Sequence, residues 1–357
     1  MIKPFISLLL VMIMSLPLVA CGAKVTYTFT DLPGTDKTYN AMDLEFDLEL
    51  SEGEEYIISD MYATEDRIYT YGILTGEKGE ERYTRCKYIV FDYKGRVQSE
   101  RTFEEGESYN RVQFLADGSS IYIDQNVTGN SDVQTAEGSY PYELVYCDAA
   151  GKELKRIFLY EERADNISEG YTWSDSIGRI VPGADKHVYI LYRDQNYLDD
   201  VDLQAGTVTQ IEMPDTVVDV WKNFRFFMDG QPVVEQKDRM NKRYYQTVDV
   251  STGAVGEIFS LLDVDVALPP DMTDTIGVGL YFYDGAGSEY DLVLPYESGI
   301  YGFNRGDDTY TRIVEEGECA LSEHSVEDIC FVEEDRFVVL YRGINVEEKH
   351  LVVFEGQ

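Results

Sequence analysis

One turn recurs along this chain about every fifty residues, and that period constrains the fold more than any other feature. An apolar strand runs into a polar turn closed by glycine. The copies are Phe91-Asp92-Tyr93-Lys94-Gly95, Tyr146-Cys147-Asp148-Ala149-Ala150-Gly151, Val201-Asp202-Leu203-Gln204-Ala205-Gly206, Val248-Asp249-Val250-Ser251-Thr252-Gly253, Phe303-Asn304-Arg305-Gly306 and Phe354-Glu355-Gly356. Asp or Asn at such a turn accepts backbone N–H groups two residues on, and glycine takes the positive φ that ends it. The closing glycines lie 56, 55, 47, 53 and 50 residues apart. A period of this length is the mark of a repeat architecture.

A second turn keeps step with the first. Asp66-Arg67-Ile68-Tyr69, Asp117 to Tyr122, Asp185 to Tyr189 and Asp335-Arg336-Phe337-Val338 each read as a turn entering an inner strand. Weaker copies stand at Asn223-Phe224 and Asp284-Gly285. Each unit then holds two strands before the first ruler's strand and one after it. Helical periodicity is almost absent, and β-branched and aromatic runs between turn residues dominate.

Four-stranded units of this size are propeller blades. A single small sheet cannot cover both its faces, whereas radial stacking covers each with a neighbour and leaves only short outer edges. The expected fold is an all-β, six-bladed β-propeller, with blades near 52–105, 110–160, 175–214, 216–262, 274–316 and 326–357. Paired β-sandwiches are the alternative, but they need turns at short spacing and no fifty-residue ruler. The last blade stops after its third strand. Residues 41–50 alternate Met42, Leu44, Phe46, Leu48 and Leu50 with mostly acidic residues, a strand without a blade. They are expected to supply the missing outer strand.

The amino end gives an address. Lys3 precedes an apolar run from Phe5 to Leu16, too short to span a bilayer, and Pro17 interrupts it. Leu18-Val19-Ala20-Cys21 resembles the lipobox of bacterial lipoproteins. That resemblance implies a signal peptide over 1–20, a diacylglycerol on Cys21 (with palmitate-type acylation of the new amino end), a tether over 21–40 and a propeller over 41–357. Two or three acyl chains hold a protein to a membrane far better than one. The expected location is the outer side of the cytoplasmic membrane, or the outer membrane in a diderm cell, since Gly22 is not the aspartate that retains lipoproteins at the inner membrane.

Lipobox, tether and acidic, Tyr-rich propeller together resemble lipoproteins of Gram-positive gut-type bacteria that carry a propeller-like region ahead of an extracellular solute-binding domain. This chain ends at Gln357, where such a domain starts in the fused pattern. The resemblance implies a role accessory to solute uptake.

Charge narrows the partners. Against 30 Lys and Arg stand 67 Asp and Glu, a formal charge of −37. Such a surface repels nucleic acid and anionic lipid at long range. With 28 Tyr and 16 Phe, the chain is no disordered acidic tail.

The sequence offers no persuasive catalytic set. His187, His324 and His350 stand outside HExxH and nucleophile-elbow patterns, and no phosphate-cradling glycine loop or haem motif is present. No cofactor and no catalytic residue is expected. Cys86, Cys147, Cys319 and Cys330 form no CxxC pair, so a zinc cluster is not expected. Cys319 and Cys330 could form a disulfide, while Cys86 and Cys147 read as buried thiols. Asp199-Asp200-Val201-Asp202 and Asp263-Val264-Asp265 are acidic, but neither continues as a calcium loop. Residues 166–173 resemble a single degenerate Asp-box of sialidase-type propellers and lack its Ser and Asp.

Ligand-binding residues are expected in the long loops 126–141, 160–177 and 262–275. The candidates are Tyr140, Tyr142, Tyr171, Trp173 and Trp221, which could stack on a sugar or anchor a protein. Lys237, Arg239, Lys242 and Arg243 form a basic cluster in an expected hairpin loop. The functional expectation is a lipid-anchored, non-enzymatic propeller that binds a protein partner or an extracellular solute, possibly a glycan. An envelope-assembly scaffold and a polysaccharide-active enzyme are the alternatives.

Overall fold

The structure is a computed structural model. It describes residues 34–357 apart from 47, 79–80, 104–108, 126–135, 138, 164–176, 193–196, 213–223, 229–230, 238–242, 250–251, 253, 259–282, 286, 297–298, 305–308, 315–324 and 343–348. The described residues form six four-stranded antiparallel sheets, the blades of a β-propeller. Blade 1 is β2 (Glu55–Ala63), β3 (Ile68–Lys78), β4 (Glu81–Phe91) and β5 (Val97–Thr102). Blade 2 is β6 (Tyr109–Phe114), β7 (Ser120–Gln125), β8 (Ser139–Cys147) and β9 (Glu153–Arg163). Blade 3 is β10 (Ile177–Pro182), β11 (His187–Tyr192), β12 (Tyr197–Asp202) and β13 (Thr207–Glu212). Blade 4 is β14 (Phe224–Met228), β15 (Gln231–Lys237), β16 (Arg243–Asp249) and β17 (Ala254–Val255). Blade 5 is β18 (Tyr283–Asp284), β19 (Leu292–Tyr296), β20 (Gly299–Asn304) and β21 (Thr309–Val314). Blade 6 is β22 (Ser325–Glu333), β23 (Arg336–Arg342), β24 (Lys349–Gly356) and, from the other end of the chain, β1 (Tyr39–Asp43).

Both rulers mark what their chemistry requires. Each first-ruler strand is the third of its blade. Asp92 Oδ1 accepts the N–H groups of Lys94 and Arg96 at 2.9 and 3.1 Å, and Asp148 Oδ1 accepts those of Ala150 and Lys152 at 3.0 and 2.9 Å. Asp202 Oδ1 holds Gln204 and Ala205 N–H, both at 2.8 Å. Gly95, Gly151 and Gly206 take φ of 74°, 76° and 76°. Gly356 instead lies inside β24, and Gly253 and Gly306 lie outside the described residues. The second ruler enters the second strand of blades 1, 2, 3 and 6. Asn223-Phe224 is a correction: Phe224 begins β14, the first strand of blade 4, so this pair does not enter a second strand.

Central strands are buried on both faces because a blade lies on either side. In β23, Phe337, Val339 and Tyr341 pack with blade 5, while Val338 and Leu340 pack with blade 1. In β11, Val188, Ile190 and Tyr192 pack with blade 2, and Tyr189 and Leu191 with blade 4. This explains why these strands read as unbroken apolar runs rather than alternating ones.

The closing strand is shorter than expected. Tyr39 to Asp43 pairs antiparallel with β24, Met42 opposite Val353, so the outer strand of the last blade does come from the amino end. After Leu44 N–H bonds Leu351 O at 2.9 Å, the segment leaves that edge. Leu44, Phe46 and Leu48 then enter the core between blades 6 and 1. Upstream, Gly34 bridges Arg312 of β21, and Thr35 N–H bonds the Arg312 carbonyl at 2.9 Å. Residues 34–40, within the segment read as a tether, therefore lie on the ring. Cys21 lies outside the described residues.

Candidate functional site

Antiparallel order sorts the connections of each blade onto two edges. In blade 2, Ser120 opposes Cys147 and Gln125 opposes Tyr142. The turns at 115–119 and 148–152 therefore share one edge, with the tight acidic turns. The connections 126–138 and 164–176 share the other, where the long loops leave the sheet.

At that long-loop edge a row of tyrosines crosses from blade 2 to blade 3. Tyr142 stacks on Tyr160 with ring centroids 4.7 Å apart and planes 9° from parallel. Tyr160 meets Tyr192 edge-on at 5.8 Å, and Tyr192 meets Tyr197 at 5.5 Å. Tyr142 and Tyr192 are buried, whereas Tyr160 and Tyr197 are half-buried. Such offset and edge contacts suit the ring quadrupoles and fix the rings in place.

Polar groups underlie the row. The Tyr192 hydroxyl donates to Asp199 Oδ2 at 2.7 Å. Burial raises the Asp199 carboxyl above its ordinary value, and the Tyr192 bond partly offsets that. Burial and the same carboxylate raise the Tyr192 phenol. On the other face of blade 2, turned toward blade 1 and away from the row, Asp124 and Glu143 stand directly opposite each other on β7 and β8, a like-charge pair that is unfavourable on its own. Arg156 on β9 bridges them, bonding Asp124 closely and Glu143 Oε2 at 3.3 Å, with Glu153 Oε2 at 2.9 Å. Glu143 is 3% and Asp124 9% exposed, so the guanidinium is the positive partner that a pair of buried acids needs there.

The expected binding residues are only partly placed here. Tyr140 is half-buried on β8, opposite Glu162 at the same edge. Tyr142 is 1% exposed, and its ring belongs to the core rather than to an open surface; its stacking on Tyr160 accounts for this. Tyr171, Trp173, Trp221, His324, Cys319, Asp263, Asp265 and residues 166–173 lie outside the described residues. Lys237 and Arg243 are backbone partners at the end of the β15–β16 hairpin, as expected, and the loop between them is outside the described residues. Sequence reasoning missed Tyr160, Tyr192, Tyr197 and Asp199. Their only signal was a tyrosine at the long-loop end of successive strands.

The other singled-out groups have local partners. His187 Nδ1 lies 2.7 Å from Asp200 Oδ1, and that bond raises its pKa. His350 Nδ1 lies 3.0 Å from Asp43 Oδ2, across the β1–β24 pairing. Asp199, Asp200 and Asp202 thus serve three separate contacts. Among the described residues no group of His, Cys, Asp and Glu is arranged to hold a metal ion. Cys330 is a free thiol, which corrects its pairing with Cys319. Its Sγ accepts Ala63 N–H at 3.3 Å and faces Ala63 O at 3.6 Å. Cys86 and Cys147 are free thiols, Cys147 buried and Cys86 half-buried.

No protein-family model matches the chain, and no curated protein matches it. Solved propeller structures do. YCF48 bound to D1 peptide is 11% identical, covering 93% of this chain and 99% of that one at a TM-score of 0.44. The β-propeller domain of the trilobed protease from Pyrococcus furiosus, described as having an open velcro topology, is 10% identical over 85% of this chain and 95% of that one, TM-score 0.44. A protein of unknown function from Dyadobacter fermentans is 8% identical over 91% and 100%, TM-score 0.46. At these identities the likeness concerns the fold alone.

Proposed function

We propose that this chain is a lipid-anchored, extracytoplasmic propeller that binds an extended ligand, a protein segment or a glycan, on the long-loop edge of blades 2 and 3, without catalysing a reaction. The tyrosine row Tyr142–Tyr160–Tyr192–Tyr197 carries this reading. It continues across two blades, its members hold one another rigid, and half-exposed Tyr160 and Tyr197 present ring surface. Rigid aromatics bind sugars and peptides at low entropic cost. Asp199 accepts the Tyr192 hydroxyl, a bond suited to holding that ring in place.

The anchor rests on Leu18-Val19-Ala20-Cys21 behind the apolar run that ends at Leu16. Among the described residues no helix is long and apolar enough to cross a membrane.

Thermal unfolding with panels of oligosaccharides and extended peptides tests the binding. A ligand at 100 times its dissociation constant adds about 2.7 kcal/mol. A shift that one compound class produces, and that Tyr160→Ala with Tyr197→Ala abolishes, supports the site. A shift retained in the double variant removes it, and no shift with any compound turns the reading to an assembly scaffold. Incorporation of a palmitate analogue that is lost in Cys21→Ala tests the anchor.

A further inference from the structure

The contacts of the amino-terminal segment reach beyond the strand it adds. Gly34 and Thr35 bond Arg312 on the outer strand of blade 5. Lys37 pairs with Glu289 of blade 5 at 3.4 Å and Glu334 of blade 6 at 3.2 Å. Residues 39–43 form the outer edge of blade 6. Leu44 is buried between blades 6 and 1, and the Phe46 ring lies 4.7 Å from that of Phe91 in blade 1. The Glu45 carbonyl passes so close to Gly95 that an added Cβ there would sit 2.0 Å away. Residues 34–46 are a strap over three successive blades.

What the strap crosses differs from every other junction. Between blades 1 and 2, and so on to blades 5 and 6, the outer strand of one runs on in the chain to the first strand of the next. Between blade 6 and blade 1 the connecting chain is the strap itself, joined to β22–β24 by non-covalent contacts, chiefly the β1–β24 pairing. The strap is lightly held at its middle, since β1 is exposed at four of its five residues. Inside the same junction β2 packs against β22, and burial first and then a neighbouring acid raises the carboxyls of Asp60 on β2 and Asp328 on β22. Segments with few buried contacts open at lower free energy than the core around them.

We propose that the junction between blades 6 and 1 is a latch, held shut by residues 34–46, that opens as a unit while the other junctions stay closed. Undocking Leu44 and Phe46 and unzipping β1 from β24 parts β22 from β2. The remaining five junctions keep their covalent links and their cores.

The protein carries its own reporters. Cys330 lies in the latch against Ala63, and Cys147 lies in the junction of blades 1 and 2. Burial raises both thiols, Cys330 to about 12 and Cys147 to about 11, which lowers their thiolate fraction and slows their labelling while closed. The experiment is iodoacetamide labelling of the folded full chain in detergent, resolved by site with mass spectrometry, in wild type, Leu44→Ala and Phe46→Ala. The expected result is that the strap variants speed labelling of Cys330 at least tenfold and that of Cys147 less than twofold. In wild type, Cys330 labelling should depend on low urea much less steeply than Cys147 labelling does, because a local opening exposes less surface. Equal acceleration of both thiols, no acceleration of Cys330, or identical urea slopes overturns the proposal. The wild-type urea comparison decides it alone if neither variant folds.

Discussion

Arg101 Nη1, on the outer strand of blade 1, donates to the Gly151 carbonyl in the acidic turn of blade 2 at 2.8 Å. Its guanidinium also lies 4.6 Å from the Phe103 ring centroid. The Tyr88 hydroxyl reaches Ala149 O in the same turn at 3.3 Å, and Lys155 of blade 2 bonds Gln204 O in the turn of blade 3. The recurring turn is thus a socket for the preceding blade as well as a reversal of the chain. Gly151 allows it, with φ of 76° and the Tyr88 ring 3.1 Å from where a Cβ would stand.

Arg101→Ala is therefore expected to cost about 1.5–3 kcal/mol, the range for a hydrogen bond to a charged donor. Arg101→Lys should recover part of it. Urea unfolding monitored by tyrosine fluorescence reads both, and an alanine variant as stable as wild type would dismiss the socket.

Arg156→Met should cost about 3–5 kcal/mol, because it leaves Asp124 and Glu143 facing each other without the guanidinium. Adding Asp124→Asn and Glu143→Gln should return most of that loss. The three proteins compared in one urea series separate lost charge balance from lost packing; no recovery points to packing alone.

Tyr192→Phe removes the hydroxyl that partly offsets the burial of Asp199. The Asp199 pKa in the folded state should rise further. A carboxyl raised on folding favours the folded state at low pH, and that advantage is lost as pH climbs through the folded pKa. The variant should therefore be weaker than wild type at pH 8, with the gap closing toward pH 4. A pH-independent gap would show that the bond does not tune this carboxyl.

Asp60 and Asp328 set a second pH dependence, at the junction of blades 6 and 1. Burial, then Glu327, pushes Asp60 up to about 6. Burial, then Asp60, pushes Asp328 up to about 7, against N–H bonds from Ile329 and Met61. Lys349 and Arg342 pair with Glu327, and Tyr56, Tyr71 and Cys330 are the other titratable neighbours. Both raised carboxyls favour folding below about pH 4 and lose that contribution as pH rises through 6 to 7. Asp60→Asn should raise the Tm by about 1–2 °C at pH 8, a small gain because the residue keeps part of its surface open to solvent although its carboxyl loses hydration against β22. The gain should vanish by pH 4.5. An equal gain at both pH values would place its origin elsewhere.

Much of this architecture was legible because its chemistry is local. Asp92, Asp148 and Asp202 cap their own turns, so strand and turn announced themselves together. The unbroken run Phe337–Tyr341 signalled burial on two faces. The alternation of 41–50 foretold a closing strand but not its end, because Leu44, Phe46 and Leu48 leave the β24 edge for a core that only the assembled ring creates. The site was harder to read. Tyr142 meets Tyr160 through a bulge that skips Leu159, and no sequence rule places that bulge. Cys330 finds its partner in the backbone of Ala63, far away in the chain, where a sequence offers only other cysteines to pair it with.

The claim on which the rest stands is that the amino-terminal segment closes the ring. Thermal unfolding of the chain with residues 41–50 deleted tests it most directly. Loss of the β1–β24 pairing and of buried Leu44, with Phe46 and Leu48, removes several kcal/mol, so the Tm should fall by about 10 °C or more. A Tm equal to that of the intact chain would contradict closure by this strand.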